Sequence, residues 1–169
     1  ILAAIEYSDI FGRLTWSAFE HDAIEASVGV SIVLGSILLA AALTYYKKWT
    51  WLWTEWLTSV DHKKIGIMYL VVTGLMLFKG IVDAGMMRAQ QVLSVGESFG
   101  YLTPAHYQQL FTAHGSTMIF FVAMGSVAAL MNFIVPLQIG ARDVAFPFLN
   151  NLSFWLYAAG VSLLIISLI

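Results

Sequence analysis

The chain has 169 residues, 60% hydrophobic and 11% charged, with a mean hydropathy of +0.82. That composition excludes an ordinary soluble domain and places the chain among membrane proteins. It has no cysteine, which excludes disulfides, thioether haem attachment and thiolate metal sites in this stretch, while a net charge of −2 singles out no class of partner.

Residues 1–25 are mixed and mildly acidic, with Glu6, Asp9, Glu20, Asp22 and Glu25 against Arg13, and carry no recognisable chemistry. His21 there reads as a solvated side chain. No cleavable signal is apparent. A chain that starts at Ile1 and stops at Ile169 inside an apolar run is expected to be a fragment of a longer protein. Residues 26–46 carry no charge and are long enough for a bilayer, which needs about 20 residues. Lys47 and Lys48 stop this first span, and Trp49, Trp51, Trp53 and Trp56 follow as an interfacial cluster. A second span runs from about Ile65 to Met87, interrupted by Lys79 and Asp83. A third runs from about Ala105 to Leu137, with Pro104 near its first turn, where proline is tolerated. A fourth starts near Phe148 and continues to Ile169. The expectation is an all-α, polytopic transmembrane helix bundle, with 1–169 as part of one domain. Loop 47–64 holds four lysines and loop 138–147 holds Arg142, against single arginines at Arg13 and Arg88. The positive-inside rule therefore puts 47–64 and 138–147 in the cytoplasm and the N-terminus outside.

Within FTAHGSTMIFF (111–121), His114 stands beside Gly115 in a nearly uncharged run from Ser98 to Ala141. On an uninterrupted helix His114 and Asn132 point the same way, five turns and about 27 Å apart, with Tyr107, Met118, Phe121, Gly125 and Pro136 near the same stripe. An imidazole beside a glycine suits the axial ligand of a flat macrocycle such as haem; it equally suits a hydrogen bond to a neighbouring helix. Charges inside spans are costly and mark function by default. Lys79 and Asp83 are four apart on one face, about 21 and 27 Å along the helix from Ile65, and can neutralise each other. Across the outer loop, His106 and Gln109 are expected at a similar depth. This set can hydrogen-bond the two oxygens of a quinone and take up protons from a quinol; a self-paired couple and an interfacial histidine are the plainer alternative. On the cytoplasmic side Asp143, Asn132, Asn150, Asn151 and Ser153 either line a proton entry or cap loops, with Asp143 contacting Arg142 or capping a turn.

Taken together, WLTSVDHKKIGIMY (56–69), FTAHG at His114 and the stretch 131–155 with PLQIGARDVAFPFLNN resemble subunit I of the haem–copper oxygen reductases, in the proteobacterial ubiquinol oxidase branch. The resemblance covers the chain from Phe11 onward. It implies that His114 is an axial ligand of a low-spin haem, expected to be b type, with Arg88 close to the haem edge. It implies that Asp143 is the mouth of a proton-uptake path, with Asn132, Asn150 and Ser153 lining it. Lys79, Asp83, His106 and Gln109 match the ubiquinol-binding site, where such oxidases usually have arginine in place of Lys79; a lysine lacks arginine's forked donor. They also usually have proline in place of Gly125, which implies a change of local bend. The high-spin haem and copper are expected beyond Ile169. Other oxidase subunits, ubiquinol and the lipid bilayer are the implied partners, nucleic acid is not, and the implied location is the bacterial inner membrane with a periplasmic N-terminus. Two rivals remain: a cytochrome c oxidase subunit I, sharing His114, Arg88 and Asp143, and a haem-free transporter using Lys79, Asp83 and Asp143.

Overall fold

In lipid a backbone must satisfy its own N–H and C=O groups, and an uninterrupted apolar run does so as a helix. The structure, a computed structural model, describes residues 23–96, 98 and 100–167, with the side chains of 23–29, 31–33 and 167 outside it. The expectations for residues 1–22, including His21, lie outside the described residues, as do the last two residues of the fourth span. Among the described residues every regular element is helical. They fall into two compact units, one ending at Leu52 and one beginning at Trp53.

The first unit holds α1 (Ala23–Tyr45), which covers the first expected span, and the short α2 (Trp49–Leu52). Lys47, with a φ of 53°, turns the chain in the left-handed region. The Trp49 indole N–H then donates to Thr44 Oγ1 at 2.9 Å, closing the turn. Lys48 lies 5.9 Å from the Trp51 ring centroid, a cation–π contact suited to an interface.

The second unit opens with a π-helical turn, Trp53–Leu57, and is built on α3 (His62–Leu93). Asp61 caps α3 by accepting the Lys63 N–H at 2.9 Å. At 32 residues α3 is about 48 Å long, and it continues six residues past the expected end at Met87. Thr103 caps the next helix, with Pro104 at its first position. That helix runs 36 residues, from Pro104 to Ile139. It consists of α4 (Pro104–Ser116), a π-helical segment (Thr117–Ala123) and α5 (Met124–Ile139). The fourth expected span is α6 (Pro147–Ser167). Three of these helices are long and apolar enough to cross a membrane.

Helix α3 is the shared wall: α4, the π segment, α5 and α6 all pack along it. Ile65, Met68, Tyr69, Ala129 and Phe154 form one buried cluster, and Met86, Leu102 and Leu110 another toward the 94–103 loop. The approach of α3 to α5 is close enough that a Cβ at Gly66 would press into the Phe133 ring. Leu70, Val71, Leu75, Phe78 and Ile81 remain exposed on the far side of α3, an apolar face fit for lipid or further helices.

The π segment corrects the expected stripe. The buried positions are Leu110, Ala113 and Thr117, then Gly125, Ala129, Asn132 and Pro136. A uniform 3.6-residue period from Thr117 would bury residues near 124, 128, 131 and 135 instead. Met124 and Met131 are in fact 58% and 56% exposed. The π turn inserts one residue into the register, a slip of about 100°. His114 therefore does not share the face of Asn132.

Candidate functional site

Two polar constellations lie at opposite ends of the second unit. The first runs from the middle of α3 toward the 94–103 loop. His114 Nδ1 lies 3.0 Å from the Gly80 carbonyl oxygen. A carbonyl only accepts, so Nδ1 carries the hydrogen, and in the neutral imidazole Nε2 then keeps its lone pair. A ligating histidine is commonly held in this way, its other ring nitrogen donating to a backbone carbonyl. Beside it, a Cβ at Gly115 would meet nothing within 4 Å. A basic nitrogen with its tautomer fixed and a face without side-chain bulk fit the axial ligand of a haem. Both readings of His114 that the sequence left open are thus compatible: it bonds the neighbouring helix through one nitrogen and leaves the other for a metal.

Lys79 and Asp83 flank Gly80 on the same helix, and the ammonium donates to the carboxylate. The Asp83 side chain is 8% exposed and that of Lys79 is 21%. The pair lies well inside the helix, with Asp83 about 15 Å from its end at Leu93. The helix contacts also fix relative depths: Gly80 is level with His114, and Gln91 with Tyr107. By that ladder His106 sits about 10 Å nearer the loop than Asp83, where the sequence had suggested similar depth. His106 is half-buried in the first turn of α4, and Gln109 is exposed. Arg88 donates to Gln91 Oε1 at 3.0 Å, and Gln91 donates in turn to the Tyr107 hydroxyl at 3.0 Å. The loop itself is pinned by Gln90, whose Oε1 accepts the N–H groups of Tyr101 and Leu102 at 2.8 Å each.

The second constellation starts at the opposite end. Asp143 Oδ1 pairs with His62 Nδ1 at 3.0 Å and accepts the Val144 N–H at 2.8 Å. Its partner is thus His62 across the bundle, rather than the neighbouring Arg142. The Val144 N–H and the His62 imidazole hold the Asp143 carboxyl below the usual carboxylate range. A cleft of about 450 Å³ opens beside it, lined by His62, Lys63, Phe133, Pro136, Leu137, Ala141 and Arg142. Farther in, Asn150 Nδ2 donates to Asn132 Oδ1 at 2.6 Å, and Asn132 Nδ2 donates to the Ala128 carbonyl at 2.9 Å. Pro136 has no N–H, so the main-chain carbonyl of Asn132 loses its usual donor four residues on. Ser153 Oγ donates to the Asn150 carbonyl at 2.7 Å and lies 3.0 Å from the Tyr69 hydroxyl. Asn151 turns elsewhere, donating to the Ser59 carbonyl at 2.8 Å. Of the residues expected together from the sequence, Asn132, Asn150 and Ser153 are thus joined by hydrogen bonds, while Asp143 stands at the loop on His62.

The sequence reading did not single out His62 or Tyr69. Both lie in the quoted DHKKIGIMY run, where a histidine just after a helix cap was the available signal for His62. Tyr69 gave none, because an aromatic on a buried stripe is indistinguishable from core.

A bundle of long apolar helices that carries a carbonyl-bound histidine, an ion pair beside it and a set of amides toward the other end defines an integral membrane protein with polar groups inside its spans. The chain belongs to the family described as Cytochrome C and Quinol oxidase polypeptide I, which matches residues 64–169. It is 56% identical over 160 residues to the cytochrome bo(3) ubiquinol oxidase subunit 1 of Buchnera aphidicola subsp. Acyrthosiphon pisum, covering 94% of this chain and 24% of the relative. It is 51% identical, with the same coverage, to the ubiquinol oxidase subunit 1 of Acetobacter aceti. A probable cytochrome c oxidase subunit 1 of Bradyrhizobium diazoefficiens is 49% identical over 161 residues, 95% of this chain and 24% of that protein. The chain therefore spans about a quarter of the length of the relatives it matches.

Proposed function

We propose that this chain is part of subunit I of a proton-pumping quinol oxidase of the bacterial inner membrane, within a single transmembrane domain whose N-terminus faces the periplasm. The observation that carries the reading is the junction at Gly80. Its carbonyl orients His114, and the buried Lys79–Asp83 couple sits within one turn of it. A donor-oxidising site and the carbonyl that supports a haem ligand on the neighbouring helix would thus share one turn of α3. The names of the ubiquinol oxidase relatives support quinol as the donor.

Held through His114 Nε2, with Arg88 toward its edge, a low-spin b-type haem would supply one-electron transfer toward a high-spin haem and copper in the remainder of the subunit. This chain's own residues do the rest. The Gly80 carbonyl fixes the imidazole ring, so the ligating nitrogen does not have to be ordered on binding. Asp83 accepts a hydrogen bond from a hydroxyl of ubiquinol and takes up its proton, while Lys79 neutralises the carboxylate in the apolar surround. His106 and Gln109, nearer the loop, offer an imidazole and an amide to the second oxygen and to proton release. At the other end Asp143, held as a carboxylate at neutral pH, concentrates protons at the mouth. Asn132, Asn150 and Ser153 cannot relay protons as acids; they order the water that does. Other oxidase subunits complete the assembly.

The test is oxygen consumption by the purified full-length enzyme with a short-chain ubiquinol, run beside reduced cytochrome c. Turnover with the quinol alone is expected. Turnover only with cytochrome c would hand the reading to the cytochrome c branch, to which one relative at 49% identity is assigned by name.

A further inference from the structure

The π segment is held from outside its own helix. Tyr157 on α6 donates its O–H to the Phe121 main-chain carbonyl at 2.6 Å. With that proton committed, the 3.1 Å contact between Tyr157 and Thr73 must have Thr73 Oγ1 as the donor. Three helices therefore meet at one carbonyl near the end of the π turn, where the change back to α register disturbs the backbone ladder. Gly125 makes this possible: a Cβ there would lie within 3.0 Å of both the Thr73 and Tyr157 hydroxyls. Beside the change of bend expected of this glycine, it leaves room for two side chains. The Phe121 and Tyr157 rings also pack together, with centroids 5.9 Å apart. Phe121 stands about two turns from His114 and three from Asn132, so the held segment separates the two constellations.

We infer that Tyr157 and Thr73 are positioning residues that lock the one-residue slip of the π turn, and thereby fix the rotation of His114 relative to the Asn132 face. Without the lock the segment gains access to a regular α register, which turns one end against the other by about 100°. The part concerning the imidazole's role rests on the haem reading above; the lock itself does not.

The test compares Tyr157→Phe, Thr73→Val and Thr73→Ser in the full-length enzyme by two readouts. Hydrogen exchange over peptides covering 117–126 reports the lock without reference to any cofactor. Low-temperature EPR of the low-spin haem reports the orientation of its histidine. Tyr157→Phe and Thr73→Val should speed exchange roughly tenfold in this segment and shift the low-spin g-values, while Thr73→Ser should match the parent in both. Parental exchange in Tyr157→Phe overturns the lock. Faster exchange with unchanged g-values overturns its link to His114. Failure of the haem reading would appear separately, as the absence of a low-spin signal from the parent enzyme.

Discussion

The Lys79–Asp83 couple makes an asymmetric prediction. Removing the cation with Lys79→Met leaves a carboxylate whose side chain is 8% exposed without its partner. Breaking a buried pair in this way costs about 3–5 kcal/mol. Asp83→Asn instead leaves a lysine that is 21% exposed, whose four-methylene stem lets the ammonium move toward a more polar region. The loss is then one charge-assisted hydrogen bond, about 1.5–3 kcal/mol, partly recovered by the amide oxygen. Lys79→Met should therefore lower the thermal inactivation temperature of the detergent-solubilised enzyme clearly more than Asp83→Asn. Activity should follow the opposite logic. Asp83→Asn, though folded, should lose most quinol oxidation because an amide takes up no proton, whereas Lys79→Arg should keep or improve it. Equal destabilisation by the two variants, or normal quinol turnover in Asp83→Asn, would refute the reasoning.

Other predictions concern the opposite end. Asp143→Asn should impair proton uptake while leaving haem spectra unchanged; full pumping at full turnover would reduce Asp143 to a loop cap. Because the folded value of Asp143 is depressed, its contribution to stability is present above the unfolded carboxylate pKa of about 3.9 and lost as pH falls through the folded value. The difference in thermal stability between the parent and Asp143→Asn should close below about pH 4; a difference that persists or grows there would contradict the stated cause. Gly66→Ala should destabilise by roughly 1–3 kcal/mol through overpacking against Phe133, seen as an earlier thermal transition.

How much of this was readable beforehand follows from the kind of signal each feature leaves. Span lengths were legible because apolar runs bounded by Lys47, Lys48, Lys63 and Lys64 have no other stable arrangement in lipid. Helix α3 ran on to Leu93 because Arg88, Gln90 and Gln91 are good helix formers and the two glutamines pair with the next segment, which a hydropathy boundary does not register. The Lys79–Asp83 contact and the Asn132–Asn150–Ser153 series were legible from i,i+4 spacing and from amides at facing helix ends. The π turn was not, since TMIFFVA carries no composition cue and the contact that reaches its carbonyl comes from Tyr157 on another helix. The shared face of His114 and Asn132 failed for that reason. Of the alternatives left open for Asp143, the contact with Arg142 gives way to His62, which is far away in sequence and adjacent only in the bundle.

The central claim is that His114, held by the Gly80 carbonyl, is an axial ligand of a low-spin haem. It is tested most directly by the reduced-minus-oxidised optical spectrum of the full-length subunit carrying His114→Ala, with membrane insertion checked in parallel. The account predicts an inserted protein that has lost its low-spin haem signal. An unchanged low-spin spectrum in that variant would contradict it.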